Sequence, residues 1–65
     1  MISEYYSDET IINGLTLFFD EEEREEIDFN NALSTIEEYD EDYFIVVVKS
    51  RSFLIHKILG GVDEL

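Results

Sequence analysis

The segment Tyr43-Phe44-Ile45-Val46-Val47-Val48 carries the strongest secondary-structure signal in this chain of 65 residues. β-branched and aromatic residues favour strands, and an uninterrupted apolar run indicates a strand that is buried on both faces. A chain this short has few elements with which to cover two faces. The segment therefore predicts a strand that packs against a helix on one face and against a second subunit on the other.

The residues that follow this strand predict a turn and one more element. Residues 49–52 form a polar break, and residues 53–59 form a candidate strand, with a short helix as the alternative. Gly60-Gly61 ends that element. Residues 62–65 are interpreted as a tail.

On the N-terminal side of the strand, residues 31–40 have the best helical pattern. Its apolar stripe consists of Ala32, Leu33, Ile36 and Tyr39. Glu37, Glu38 and Asp40 lie off this stripe. Because carboxylates late in a helix oppose its dipole, their position hints at a purpose other than helix stability.

Farther upstream, the sequence predicts a β-hairpin. Residues 15–19 alternate as a strand, and Ile27 and Phe29 alternate with acidic residues in a second strand over residues 24–29. The turn is placed near residues 21–23. The glutamates there favour a helix by propensity. The alternation of apolar and acidic residues in the adjacent segment favours the hairpin instead.

Residues 1–13 have no clear periodicity. Ser7 followed by Asp8 is typical of a helix start, and Asn13-Gly14 is typical of a helix end. We therefore expect a short helical turn between them.

These elements together predict an α+β fold. We expect a small antiparallel sheet made of a hairpin, one helix and one or two further strands, completed by homodimerisation. Residues 1–65 form a single domain, with residues 1–10 and 60–65 as flexible ends.

The composition indicates a folded and strongly acidic protein. Seventeen Asp and Glu against four Lys and Arg give a formal net charge of −13, while hydrophobic residues make up 45% of the chain. This apolar content is too high for a disordered acidic tail. The charge repels nucleic acid and anionic lipid, so the expected partner is a protein with a basic face.

The composition also excludes several features that commonly stabilise the fold of a small protein. The chain has no cysteine and a single histidine, His56, which excludes disulfides, thiolate metal sites and a His-based zinc site. Oligomerisation remains, and a symmetric dimer is its commonest form. Neither a signal peptide nor a membrane-spanning run is visible, so we expect a cytoplasmic protein with no membrane partner.

Catalysis and cofactor binding are poorly supported. The carboxylates are too numerous for one pair to stand out as an acid–base couple, and His56 has no cysteine nucleophile to activate. The acidic runs at residues 20–26 and 40–42 lack the alternating ligands and central glycine of a calcium loop. We therefore predict a protein that is not an enzyme and has no catalytic residue, metal site or cofactor.

The carboxylates instead suit the groove of a protein that binds DNA. Such a groove presents Lys and Arg to a line of phosphates, and a rival protein can fill it with carboxylates and an apolar anchor. The predicted partner-binding residues are Ile36, Glu37, Glu38, Tyr39, Asp40 and Asp42. Secondary acidic contacts are predicted at Asp20, Glu21, Glu22 and Glu23. The alternative is that Ile36 and Tyr39 simply belong to the core.

Several motifs between Leu15 and Val48 occur in an order that is found in a known family. They are Thr16-Leu17-Phe18-Phe19, Asp20-Glu21-Glu22-Glu23, Ile27-Asp28-Phe29, Leu33-Ser34-Thr35-Ile36-Glu37 and the run from Ile45 to Val48. Their order and spacing resemble the small dimeric uracil-DNA glycosylase inhibitors of certain Bacillus phages, which are acidic DNA mimics.

The resemblance implies a target and a pocket. In that family two subunits pair their sheets, and their helices form an apolar pocket flanked by carboxylates. The pocket holds the apolar side chain that a glycosylase wedges into DNA while it flips out uracil. By this resemblance Ile36 and Tyr39 would line the pocket, and Glu37 would take the place of a phosphate.

Three other functions fit the charge. The same mimicry can be directed at a restriction enzyme, a CRISPR effector or RNA polymerase. An immunity protein or antitoxin that neutralises a basic nuclease toxin is a second possibility. The third is an acidic structural or assembly subunit whose charge only ensures solubility.

Overall fold

The apolar segment Tyr43–Val48 forms one of the two long strands of an antiparallel sheet in the computed structural model, which describes residues 2–65. In chain order the strands are β1 (Glu37–Glu38), β2 (Tyr43–Val48), β3 (Arg51–His56) and β4 (Val62–Glu64). Each strand pairs with the next. A 3-10 turn (Ile2–Glu4) and three helices precede the sheet: α1 (Asp8–Thr16), α2 (Glu21–Glu26) and α3 (Phe29–Leu33). The predicted α+β class is confirmed.

The hydrophobic core lies on one face of this sheet. Its strand residues are Phe44, Val46, Val48, Phe53 and Ile55, and its residues from the helical region are Ile11, Leu15, Phe19 and Ala32. The other residues of β2 alternate with the buried ones, and Val47 is 51% exposed. The chain therefore buries one face of β2 against its helical region, as predicted, and coverage of the other face by a second subunit stays a prediction.

A two-residue turn joins β2 to β3. Lys49 and Ser50 have φ angles of 51° and 64°, and the flanking residues Val48 and Arg51 pair with each other. Two positive φ angles in succession are typical of a type I′ turn, whose twist matches that of the strands. Neither residue is glycine or asparagine, so the turn is formed at some cost in conformational energy.

The predicted strand at residues 15–19 is wrong, because this stretch begins as the end of helix α1. The Ser7 hydroxyl oxygen caps the helix by accepting a hydrogen bond from a first-turn amide at 3.3 Å. Ile11 and Leu15 stand four residues apart and are both buried, whereas Leu17 is 80% exposed. A helical period therefore governs this segment, and the expected helix start at Ser7 is confirmed.

Helix α1 continues past the predicted stop at Asn13-Gly14. A β-carbon on Gly14 would lie 2.9 Å from Val62 Cγ2, which is too close for a normal contact. The glycine thus allows α1 to approach β4 and does not end the helix.

The predicted hairpin over residues 15–29 is replaced by helices. Asp20 starts α2 through a capping box with Glu23, and its carboxylate accepts a hydrogen bond from the Glu23 amide at 2.8 Å. Asp28 starts α3 in a similar way, by accepting from a first-turn amide at 3.1 Å. The apolar residues on either side of Asp28 therefore flank a helix cap and do not alternate in a strand.

The predicted helix at residues 31–40 is also wrong, since α3 covers only its first residues and β1 lies within its later part. The hydroxyls of Ser34 and Thr35 each donate to a carbonyl three residues back at 2.6 Å, which competes with continuation of the helix. The carboxylates that would oppose a longer helix dipole lie in β1 and the loop after it. Ile36 and Tyr39 therefore do not share a helical stripe.

At the C-terminal end, the strand alternative for residues 53–59 is confirmed for residues 53–56, which belong to β3. The strand begins at Arg51, inside the predicted polar break, and residues 57–59 form a turn, so it ends before Gly60-Gly61. The interpretation of residues 62–65 as a tail is wrong, because β4 pairs with β3 and places Val62 opposite Ile55. Gly60 has a φ angle of 73°, which lets the chain reverse between the two strands. Homodimerisation and flexibility of the chain ends stay predictions.

Candidate protein-binding site

An open cleft of about 450 Å³ lies where the first residues of the chain, the end of α3 and the sheet edge at β1 meet. Its lining residues are Ile2, Asp8, Leu33, Ser34, Ile36, Glu38 and Phe44. Most of these side chains are apolar, and Asp8 and Glu38 add two carboxylates. Apolar walls with a few polar groups are typical of a binding site.

Ile36 and Glu38 are the predicted site residues that the fold brings into this cleft. The Ile36 amide donates to the last carbonyl of α3 at 3.2 Å, which holds this residue against the helix end. Glu38 lies opposite Phe44 in the sheet, so both side chains are on the face where the cleft opens. Glu37 lies opposite Ile45 and belongs to the other face. The predicted neighbours Glu37 and Glu38 are thus divided between two surfaces.

Lys57 supports one wall of the cleft. Its ammonium lies 3.6 Å from Glu38 Oε1 and 4.9 Å from the centroid of the Phe44 ring, and its side chain is only 11% exposed. The ring of Tyr5 meets the Phe44 ring edge-on, with 5.7 Å between centroids. These contacts place Lys57 and Tyr5 beside Phe44, and Lys57 beside Glu38, along one wall of the cleft.

The loop between β1 and β2 presents three carboxylates. Asp40 Oδ1 accepts hydrogen bonds from the amides of Asp42 at 2.8 Å and Tyr43 at 2.9 Å, which closes a local turn. Asp40, Glu41 and Asp42 are exposed, and none of them forms an ion pair with another residue of the described range 2–65. Tyr39 beside them is half-exposed. The loop therefore offers negative charge in a fixed backbone conformation.

The predicted secondary contacts lie at the other end of β2. Glu21 and Glu22 are exposed in the first turn of α2, whereas Asp20 and Glu23 form its capping box. Lys49, which follows β2, lies 3.9 Å from Glu23, so α2 stands beside the β2–β3 turn. The six residues of β2 span about 17 Å. The primary and secondary residues therefore form two separate acidic patches.

Three of the four basic side chains contact backbone carbonyls or glutamates away from the loop between β1 and β2. Arg24 Nε donates to two backbone carbonyls, both at 2.9 Å. Lys49 lies 3.4 Å from Glu26, and Lys57 pairs with Glu38. None of these cations neutralises the loop between β1 and β2.

The fourth cation, Arg51, binds Glu64 through two hydrogen bonds of 2.7 and 2.8 Å. Its guanidinium also lies 4.7 Å from the centroid of the Phe19 ring. The hydrogen bonds lower the pKa of Glu64 below its ordinary value and raise the pKa of Arg51. This ion pair links β3 to β4 on the face of the sheet that carries the core.

Sequence reasoning does not find the rest of the cleft. The pattern identifies Asp8 only as part of a helix start and Phe44 only as part of a strand. No local signal joins residues 2–8 to residues 33–38, because their contact depends on the tertiary fold.

Comparison with protein-family models, with curated proteins and with solved structures finds no match for this chain. Of the helices formed by residues 2–65, none has the length and apolar character that crossing a membrane requires. Over the same residues, no three His, Cys, Asp or Glu side chains are grouped so as to hold a metal ion. The candidate site therefore rests on its own geometry.

Proposed function

We propose that this protein is a cytoplasmic inhibitor, without enzymatic activity, that occupies the basic DNA-binding groove of another protein. Its carboxylates take the positions of DNA phosphates, and its cleft holds an apolar side chain of the target. The observation that carries the proposal is that the apolar cleft adjoins the unneutralised carboxylates of the β1–β2 loop.

Charge and apolar contact make different contributions to such binding. The net charge of −13 attracts a basic groove and raises the association rate, and added salt weakens this effect. The cleft supplies a contact that salt does not screen, since burial of one large apolar side chain contributes roughly 1.5–3 kcal/mol. Asp8 and Glu38 can accept hydrogen bonds from Lys or Arg beside that side chain.

Uracil-DNA glycosylase is the first target that we propose, because the sequence resemblance points to it. The enzyme wedges an apolar side chain into DNA, and the cleft suits a side chain of that kind. The cleft differs from the pocket that the resemblance implies. Ile36 lines it while Tyr39 lies in the loop, and one chain supplies all of its walls, so homodimerisation remains a separate proposal.

A stoichiometric titration tests the proposal. A bacterial uracil-DNA glycosylase is mixed with increasing amounts of this protein, and uracil excision from a labelled oligonucleotide is measured at low and at moderate salt. We expect activity to fall to its minimum near equivalence at both salt concentrations. Full activity at moderate salt contradicts the glycosylase target, and affinity capture would then show whether a nuclease, a CRISPR effector or RNA polymerase is bound instead.

Matched variants separate the cleft from overall charge. Asp42→Lys and Glu25→Lys change the net charge equally, but only Asp42 lies in the β1–β2 loop. We expect Asp42→Lys to weaken inhibition about tenfold or more and Glu25→Lys to have a small effect. Ile36→Ser should weaken inhibition mainly at moderate salt, with Val47→Ser as its control. Equal effects of the two lysine variants would show that charge alone is responsible.

A further inference from the structure

The side of the sheet away from the helices, here called the outer face, is open. It is formed by alternate residues of the long strands: Tyr43, Ile45 and Val47 of β2, and Ser52, Leu54 and His56 of β3. None of the buried core residues described within 2–65 lies on it. Half of the surface of Val47 is in contact with solvent.

One row of residues across the outer face has a regular pattern. Glu37 lies opposite Ile45, Ile45 opposite Leu54, and Leu54 opposite Asp63. Residues directly opposite each other share a face, so the row runs acidic, apolar, apolar, acidic from β1 to β4. Glu37 and Asp63 are exposed, and neither has an ion-pair partner in the part of the chain that the structure describes.

We propose that the outer face binds a basic amphipathic helix of a partner protein. The apolar stripe of the helix packs along β2 and β3. Lys or Arg residues on its two flanks pair with Glu37 on one edge and Asp63 on the other.

The dimensions of the outer face fit one helix. Three strand spacings separate β1 from β4, so the two acidic edges stand about 14 Å apart at the backbone. A helix with its side chains is about 10–12 Å across, and the long side chains of Lys and Arg can reach the remaining distance. The length of β2, about 17 Å, corresponds to about three helical turns.

A second copy of this chain fits the outer face poorly. Each copy has a net charge of −13, and packing two outer faces together brings like charges to the same rim. Charge complementarity therefore favours a basic partner.

The outer face and the cleft are separate surfaces. The cleft opens on the side of Phe44, and the outer face carries the next residue, Ile45. Consecutive strand residues point to opposite sides of a sheet, so a helix on the outer face leaves the cleft free. The helix-binding proposal therefore does not depend on the inhibitor proposal.

The test uses the full chain and a designed helical peptide. The peptide has about 18 residues, long enough to form a helix, with leucines along one face and lysines on both flanks. A control peptide has the same composition, with its leucines distributed around the helix. We expect the designed peptide to shift the NMR amide signals of β2 and β3 and to bind at least tenfold more tightly than the control peptide.

Variants of the protein locate the site. Ile45→Thr and Leu54→Thr place β-branched residues, which favour strands, at both positions and should each weaken peptide binding about tenfold. Leu17→Ser removes an exposed leucine elsewhere and should leave binding unchanged. Circular dichroism checks folding, and Val47→Thr replaces any variant that does not fold.

Three results would overturn the proposal. They are equal binding of both peptides, unchanged affinity of the threonine variants, or NMR shifts centred on Ile36 and Glu38. Light scattering adds a further check on the occupant. A dimer that Ile45→Thr converts to a monomer would show that a second copy covers the outer face.

Discussion

The two faces of the sheet are built from alternate residues of the same strands, but their surroundings differ. On the helix side Phe44 and Phe53 are 2% and 0% exposed. On the outer face Ile45 and Leu54, the next residue along each strand, remain in partial contact with water. Because apolar side chains along β2 and β3 point alternately to the two faces, the same strands supply both the core and an apolar surface. We expect stability to depend mainly on the first face and binding on the second.

The sharpest test of this difference compares neighbours on β3. Phe53→Ala removes a fully buried ring, which should lower the free energy of unfolding by about 3–5 kcal/mol. That is comparable to the total stability of a small domain, roughly 5 kcal/mol, so the variant should be largely unfolded. Leu54→Ala should cost about 1 kcal/mol or less. Urea unfolding followed by circular dichroism measures both, and similar losses would contradict the assignment of the two faces.

The turn between β2 and β3 should have an intermediate effect, because it sets the register that assigns residues to each face. Replacing Lys49-Ser50 by Asn-Gly supplies residues that favour positive φ angles. We expect the free energy of unfolding to rise by about 1–2 kcal/mol. Lys49→Gln is the control for loss of the ion pair with Glu26. A double variant less stable than this control would argue against a type I′ turn.

The smallest effect is expected at two carboxylates of β4 on opposite faces. Glu64→Gln removes the ion pair with Arg51 and should lower Tm slightly at pH 7, whereas Asp63→Asn removes an unpaired charge and should not lower it. The hydrogen bond from Arg51 lowers the pKa of Glu64 in the folded protein. The ionised carboxylate therefore adds to folding stability above the ordinary carboxyl pKa, and this stabilisation is lost as the pH falls through the lowered pKa.

The pH dependence of Tm checks this assignment. The difference in Tm between the natural chain and Glu64→Gln should shrink below about pH 4. Asp63→Asn is the matched control, because it has no corresponding ion pair to lose. A Glu64→Gln difference that persists unchanged in acid would mean that the carboxylate charge is not responsible.

The sequence predicts β2 and the later residues of β3, since β2 consists of β-branched and aromatic residues and a polar turn separates it from the apolar residues of β3. It does not predict that β2 has one open face, because the apolar run is the same whether or not a second layer covers it. The short strand β4 has no pattern of its own and forms only because it pairs with β3.

The N-terminal half is predicted less well because two local signals compete. Residues 15–19 and 24–29 alternate with a period of two, but the caps at Ser7, Asp20 and Asp28 satisfy backbone amides and favour helices. The cleft cannot be read from either signal. It brings together residues that are about thirty positions apart in the chain.

The outermost strands, β1 and β4, contain only two and three residues, and each carries two carboxylates. Unpaired strand edges normally invite other molecules to add strands, which leads to aggregation. Here an added copy of either strand would place like charges opposite each other. The chain has no proline that could prevent pairing at the sheet edges. The short, charged edge strands serve this purpose instead. We expect the protein to stay dispersed at high concentration in spite of its open apolar face.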